Sequence, residues 1–285
     1  MSFLAGGSHS GHFIARSGWD DGATIVTLRS TDHFGDHHHY DQGSVIIYRN
    51  GLLAVDPPVY RQIRGPQQKT EVHNTLLLGG QPQRPVRGQW FKTVEDFQAN
   101  LEGGRQLETG DILFSQEAGA WAAVAGQFAQ AYSPQMIRSC VRQMLYIRPS
   151  KIVIVDQLVP PPGGTLPEVQ WLLQAPQPPQ VEDAGLWTTN GKSWLRCRAL
   201  SAGAAMQAVE ATAVNTYRAS FRYKGDRRLN MVHVIEVGDG PTPGTAARAA
   251  IRTGDKAIAV TVDGETFLFA TDSPYAVTSS SAAGK

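Results

Sequence analysis

Cysteine is nearly absent: Cys140 and Cys197 are the only two in 285 residues. So few cannot build the disulfide framework of a small secreted fold, and one bridge or two buried thiols both stay open. Net charge is nearly absent as well. Lys plus Arg number 26 against 25 Asp plus Glu, which leaves +1. That excludes a global electrostatic drive toward nucleic acid or an anionic bilayer, so an anionic ligand has to be met by a local patch. No apolar run reaches the ~18 residues of a membrane-spanning helix. The opening MSFLAGGSHSGHF has no basic or long apolar stretch, so no signal peptide is visible. A cytosolic protein and a piece of a longer exported chain both fit. Helical periodicity is scarce too. Segment 94–101 has room for one or two helical turns, and the Ala-rich 121–132, interrupted by Gly126, reads as a strand.

What the chain does have is a succession of short β-branched or aromatic-rich runs bounded by Gly, Pro, Asn and Asp. They lie at 23–30, 44–56, 75–80, 111–117, 144–158, 193–200, 217–224, 230–238 and 256–271. Asn50-Gly51 and Asp263-Gly264 carry the signal of a type I′ hairpin turn, and 144–158 turns at Pro149-Ser150. The Pro-rich stretches 159–168 and 174–180 read as surface loops around a further strand. These features predict an all-β fold, an antiparallel two-sheet β-sandwich forming one continuous domain over 11–275. Residues 1–10 read as a lead-in and 276–285 as a disordered tail.

One stretch stands apart: DHHHYDQGS, Asp36 to Ser44. In an extended segment side chains alternate, so His37, His39 and Asp41 share one face while His38 and Tyr40 share the other. The next strand turns at Asn50-Gly51 and returns to Asp56, which can come back beside residues 39–41. His73, at the mouth of the following strand, can complete a two-His, one-carboxylate set of His39, Asp56 and His73. Those ligands suit zinc with a fourth position for water, and equally non-haem iron. A solvated histidine loop is the plainer alternative, with Asp56 capping a turn before Pro57. His9, His12 and His33 lie outside the pattern, and His233 reads as a hydrogen-bonded sheet histidine.

At these residues the chain resembles the C-terminal β-sandwich domain of the heparinase II/III family of polysaccharide lyases. HHHYDQGSVIIYRNGLLAVDPPVY matches the family's H-x-H-x-D-x-G-S, strand, and G-x-x-L-x-x-D-P pattern, and VHNTLLLGG matches its H-N-T. GHFIARSGWDD upstream and VRQMLYIRPSKIVIVDQL downstream extend the likeness over residues 11–158. The resemblance implies a supersandwich-like fold and a mainly structural zinc on His39, Asp56 and His73, with His37 in a catalytic cleft. It further implies an exported carbon–oxygen lyase that cleaves acidic, uronate-containing polysaccharide such as a glycosaminoglycan or alginate by β-elimination. The family's lyases place a helical α/α-toroid domain before the sandwich, and it supplies the acid–base tyrosine. Here the sandwich motifs begin within the first dozen residues, so the isolated chain is expected to be inactive without a helical domain from the same precursor or a partner chain. Pro58 stands where the family often has Gly.

Arg16, Arg61 and Arg64 are candidates to bind a carboxylate or sulfate. A zinc-stabilised carbohydrate-binding or scaffold domain without turnover is the competing reading. A cupin-like metal enzyme is disfavoured because Gly43 and Ser44 occupy the places where cupins need a Glu.

Overall fold

The computed structural model describes the chain except residues 6–9, 35–36, 58–64, 87–92, 102–105, 184 and 281–285, and the side chains of 5, 10 and 207–209. The chain begins as an antiparallel meander of β1 (Ser2–Ala5), β2 (Ser10–Arg16), β3 (Ile25–Thr31), β4 (Val45–Tyr48) and β5 (Leu52–Ala54). Alternation sets its faces: along β3, Val26, Leu28 and Ser30 are buried while Ile25, Thr27 and Arg29 are half-buried. The β4–β5 turn has both central residues at positive φ, Asn50 at 51° and Gly51 at 139°, as the sequence predicts for a two-residue hairpin. Next come β6 (Leu76–Leu78) and one short helix, α1 (Val94–Ala99). The Thr93 hydroxyl caps α1 by accepting from the Asp96 N–H at 3.1 Å.

The remaining strands are β7 (Asp111–Glu117), β8 (Trp121–Gln127), β9 (Ser139–Ile147), β10 (Lys151–Val159), β11 (Val169–Ala175), β12 (Gln180–Glu182), β13 (Gly185–Thr189), β14 (Ser193–Ala199), β15 (Ala205–Ala211), β16 (Tyr217–Tyr223), β17 (Leu229–Asp239), β18 (Ala249–Thr253), β19 (Ala257–Val262), β20 (Glu265–Ala270) and β21 (Val277–Ser280). They form an eight-stranded sheet in the order β12-β13-β14-β17-β10-β9-β8-β7 and two four-stranded sheets, β15-β16-β11-β6 and β18-β19-β20-β21.

The all-β antiparallel class is as expected, but the layering is richer than two sheets. The eight-stranded sheet is covered on both faces. On one side Met144, Tyr146, Ile152 and Ile154 pack with Leu28 and Ile47 of the meander and Trp171 and Phe221 of the β11–β16 sheet. On the other, Leu145, Val153, Val155 and Val234 pack with Val260, Phe267 and Phe269. This accounts for β9 and β10, which are buried at seven consecutive positions without alternation because neither face meets water.

Both ends of the described chain also depart from the sequence reading. Ser2–Ala5 is an edge strand on β2 rather than a lead-in, and Val277–Ser280 pairs with β20 in the stretch expected to be disordered. Segment 121–132 is a strand only to Gln127, and a 3-10 turn follows at Ala129–Ala131. Cys140 and Cys197 are free and buried. Among the described residues no helix is long and apolar enough to cross a membrane.

Candidate metal centre

Three segments of chain converge at one end of the meander, and the residues of His73-Asn74-Thr75 lock them together. Asn74 donates its side-chain N–H to the Val55 carbonyl at 2.9 Å, next to Asp56, and accepts the Gln174 N–H at 2.7 Å. Thr75 donates its hydroxyl to the Gln42 carbonyl, next to Asp41. Gln83 clasps Gln42 reciprocally: it accepts the Gln42 N–H at 2.9 Å and donates to the Gln42 carbonyl at 2.8 Å. Gln174, fully buried, donates to the carbonyls of Glu71 and His73. These bonds tie the backbone beside Asp41, Asp56 and His73 into one frame.

Within this frame His39, Asp41 and His73 each bring a ligand atom within 4.8 Å of the others, the one such group of His, Cys, Asp and Glu among the described residues. The His39 and His73 rings lie 5.0 Å apart. Nε2 of His73 and Oδ1 of Asp41 are both buried and have no hydrogen-bond partner. Buried polar atoms are ordinarily hydrogen-bonded, so two unpartnered ones in residues of this one group mark it as a candidate ion site.

The electrostatics suit a cation. Burial, and then the nearby His73, hold the His39 pKa below its ordinary value, so the ring is a neutral lone-pair donor at pH 7. Burial works against ionisation of Asp41, but the Arg29 guanidinium at 3.0 Å and the two imidazoles outweigh it, and the carboxyl titrates below its ordinary range.

Asp56 takes a different place from His39 and His73. It lies 2.9 Å from Nδ1 of His73 and outside the three-donor group. With Asp56 accepting from Nδ1–H, the lone pair of His73 falls on the orphaned Nε2, the arrangement in which a carboxylate supports a metal-binding histidine. The donor set His39, Asp56 and His73 is thus brought together as neighbours, with Asp41 inserted where the sequence reading placed Asp56. Asp41 was legible on the His39 face, but nothing in its spacing ranked it above Asp56.

His38 and Tyr40, which alternation assigns to the opposite face, are both half-buried. His38 accepts the Phe34 N–H at Nδ1, and its ring meets His33 edge-on at 5.3 Å. His33 in turn stacks on Tyr40 at 5.6 Å, and Tyr40 packs beside Val86, Leu101 and Leu107. A cleft of about 280 Å³ lined by Gly11, His12, Arg29, Thr31, Phe34 and His38 opens next to Asp41. His12, Arg29 and Phe34 were not candidate site residues in the sequence; the β2–β3 register sets His12 opposite Arg29.

The family described as heparinase II/III-like, C-terminal, matches over residues 4–219. The chain belongs to that family. No curated protein sequence matches it. Among solved structures, heparan sulfate lyase HepC from Pedobacter heparinus superposes with a TM-score of 0.69 at 18% identity, over 94% of this chain and 42% of that one. A heparinase III gene product gives 0.69 at 16% identity over 97% and 42%, and a further heparinase III gives 0.65 at 17% over 95% and 41%. At these identities the likeness is one of fold. The chain spans about two fifths of the length of each.

Of the other candidate residues, His37 is exposed two positions before His39. Arg16 lies at the far end of β2 from the donor group. Its Nε donates to the Gly18 carbonyl, and its guanidinium stacks 4.1 Å over the ring of Trp19, so the structure does not bring it to the site. Pro58, Arg61 and Arg64 fall outside the described residues.

Proposed function

We propose that this heparinase II/III-like domain is the zinc-binding β-sandwich part of a polysaccharide lyase that cleaves uronic-acid-containing polysaccharide by β-elimination. The observation that carries the reading is the pair of buried, unpartnered donors, His73 Nε2 and Asp41 Oδ1, beside His39 and two residues from the exposed His37. His39 and His73 hold the ion together with a carboxylate, which is Asp41 by its present position or Asp56 by family resemblance. The nitrogen and oxygen donors suit zinc, which would supply a fixed positive charge and tie the loop bearing His37 to the sandwich.

His37 then faces substrate. In the reaction a base removes the C5 proton beside the uronate carboxylate, the C4–O bond breaks, and an acid protonates the departing oxygen as the C4–C5 double bond forms. Imidazole can neutralise the carboxylate or carry one proton. It cannot do both and also protonate the leaving group, so the remaining groups come from a helical domain.

The test follows the ultraviolet absorbance of the unsaturated product on heparan sulfate, alginate and other uronates, with the chain alone and with a helical lyase domain added. Turnover only in the mixture, lost in His37→Ala with zinc retained, supports the proposal. Polysaccharide binding without turnover in any combination would replace it with a zinc-stabilised carbohydrate-binding domain.

A further inference from the structure

We propose that Arg142, buried in the middle of β9, is a positioning residue for the donor group. The inference rests on the metal reading above. Arg142 and Asp156 lie opposite each other on β9 and β10, both at 0% exposure. Arg142 donates through Nε and Nη2 to the two carboxylate oxygens at 2.7 and 3.0 Å, and Trp171 donates Nε1–H to the same carboxylate at 2.9 Å. The remaining nitrogen, Nη1, donates to two backbone carbonyls, those of Gly43 at 2.5 Å and Asn74 at 2.9 Å. Asn74 follows His73, and Gly43 lies two residues after Asp41. One nitrogen therefore joins the two segments that carry the orphaned donors.

Stability alone does not explain this residue. A buried ion pair costs so much desolvation that apolar side chains of similar volume commonly replace it at no loss. What apolar side chains cannot supply is the pair of N–H bonds to the Gly43 and Asn74 carbonyls.

The turn on the receiving side is built to present its carbonyl. Ser44 donates its N–H to the Asp41 carbonyl at 2.9 Å, closing Asp41–Ser44, and Gly43 adopts φ +76° at the third position. A Cβ there would lie 2.5 Å from the Phe128 ring, so only glycine fits. The planar guanidinium fork matches this geometry, because Asp156 fixes two of its nitrogens and so aims the third.

The experiment uses Arg142→Met/Asp156→Leu, which removes the pair without leaving a lone buried charge, and Arg142→Lys, which keeps the charge but not the fork. Met144→Ala, on the same strand and packed in the core, is the control for plain destabilisation. Zinc affinity is measured by chelator competition well below the melting temperature, with metal-free melts alongside. The expected result is a roughly 10–100-fold loss of zinc affinity in both Arg142 variants, the size seen when groups supporting metal ligands are removed. Met144→Ala should melt lower yet bind zinc as wild type does. An Arg142 variant that folds and binds zinc within twofold of wild type overturns the proposal.

If wild type takes up no zinc, the metal reading fails by itself. The positioning role is then read in the metal-free protein from the nitrogen-15 signals of the His39 and His73 rings. These must move in Arg142→Lys and stay in Met144→Ala, and rings unmoved in Arg142→Lys overturn it.

Discussion

At the scale of single residues the donors divide by what each carboxylate touches. If Asp41 is the ligand, Asp41→Asn abolishes stoichiometric zinc uptake and Asp56→Asn lowers affinity only about 10–100-fold. The opposite ranking in a zinc titration assigns the ligand role to Asp56. His33 gives a separate handle on acid stability. It is 3% exposed, and burial, then the neighbouring His38, lowers its pKa to about 4. The unfolded chain protonates this ring near 6.5, so between 6.5 and 4 the unfolded state binds more protons, and stability present above 6.5 is lost as pH falls through that window. The full loss is on the order of 3 kcal/mol. His38 moves the same way. Urea melts at pH 7, 5.5 and 4 should therefore show a steep acid decline that His33→Gln flattens; an unchanged slope would count against burial as its cause. The sequence exposed His39 through alternation and Asp56 through a short hairpin, both local devices, and His73 through its place at the mouth of the next strand and the H-N-T motif. It hid Arg142, because an arginine in a strand reads as a solvent-facing residue until both faces of β9 are known to be covered.

At the scale of elements, the hairpins were the legible part, because Asn-Gly and Asp-Gly specify their turns with four residues of chain. The two turns differ in setting. At Gly51, φ is +139° and a Cβ would sit 2.9 Å from Nδ2 of Asn190, which donates to the Arg49 carbonyl. At Gly264, φ is +91° with nothing within 4 Å. Gly51→Ala should therefore cost more in denaturant unfolding than Gly264→Ala, with the shared backbone strain about 1–3 kcal/mol. Equal losses would show that Asn190 yields freely. Strands such as β13, β15 and β18 escaped notice because they are Ala- or Gly-containing and held by pairing partners rather than by their own pattern.

At the scale of the molecule, the third layer was the feature least legible, since only long-range pairing decides which face of a strand is covered. It has measurable consequences. Cys140 and Cys197 lie at 0% exposure inside the core, and burial raises both thiol pKa values. A thiol reagent should find no reactive group in the native protein and two after denaturation; fast native labelling would place a cysteine nearer solvent. Under the zinc reading, metal at about a hundredfold excess over its dissociation constant should add about 2.7 kcal/mol of stability, which a melt in chelator removes. The nitrogen that reaches Gly43 and Asn74 comes from a strand 99 and 68 residues further along the chain. Under the proposed positioning role, the site would reach its full affinity only once β9 has docked on the meander. A bound ion would then report that segments distant in the chain have met.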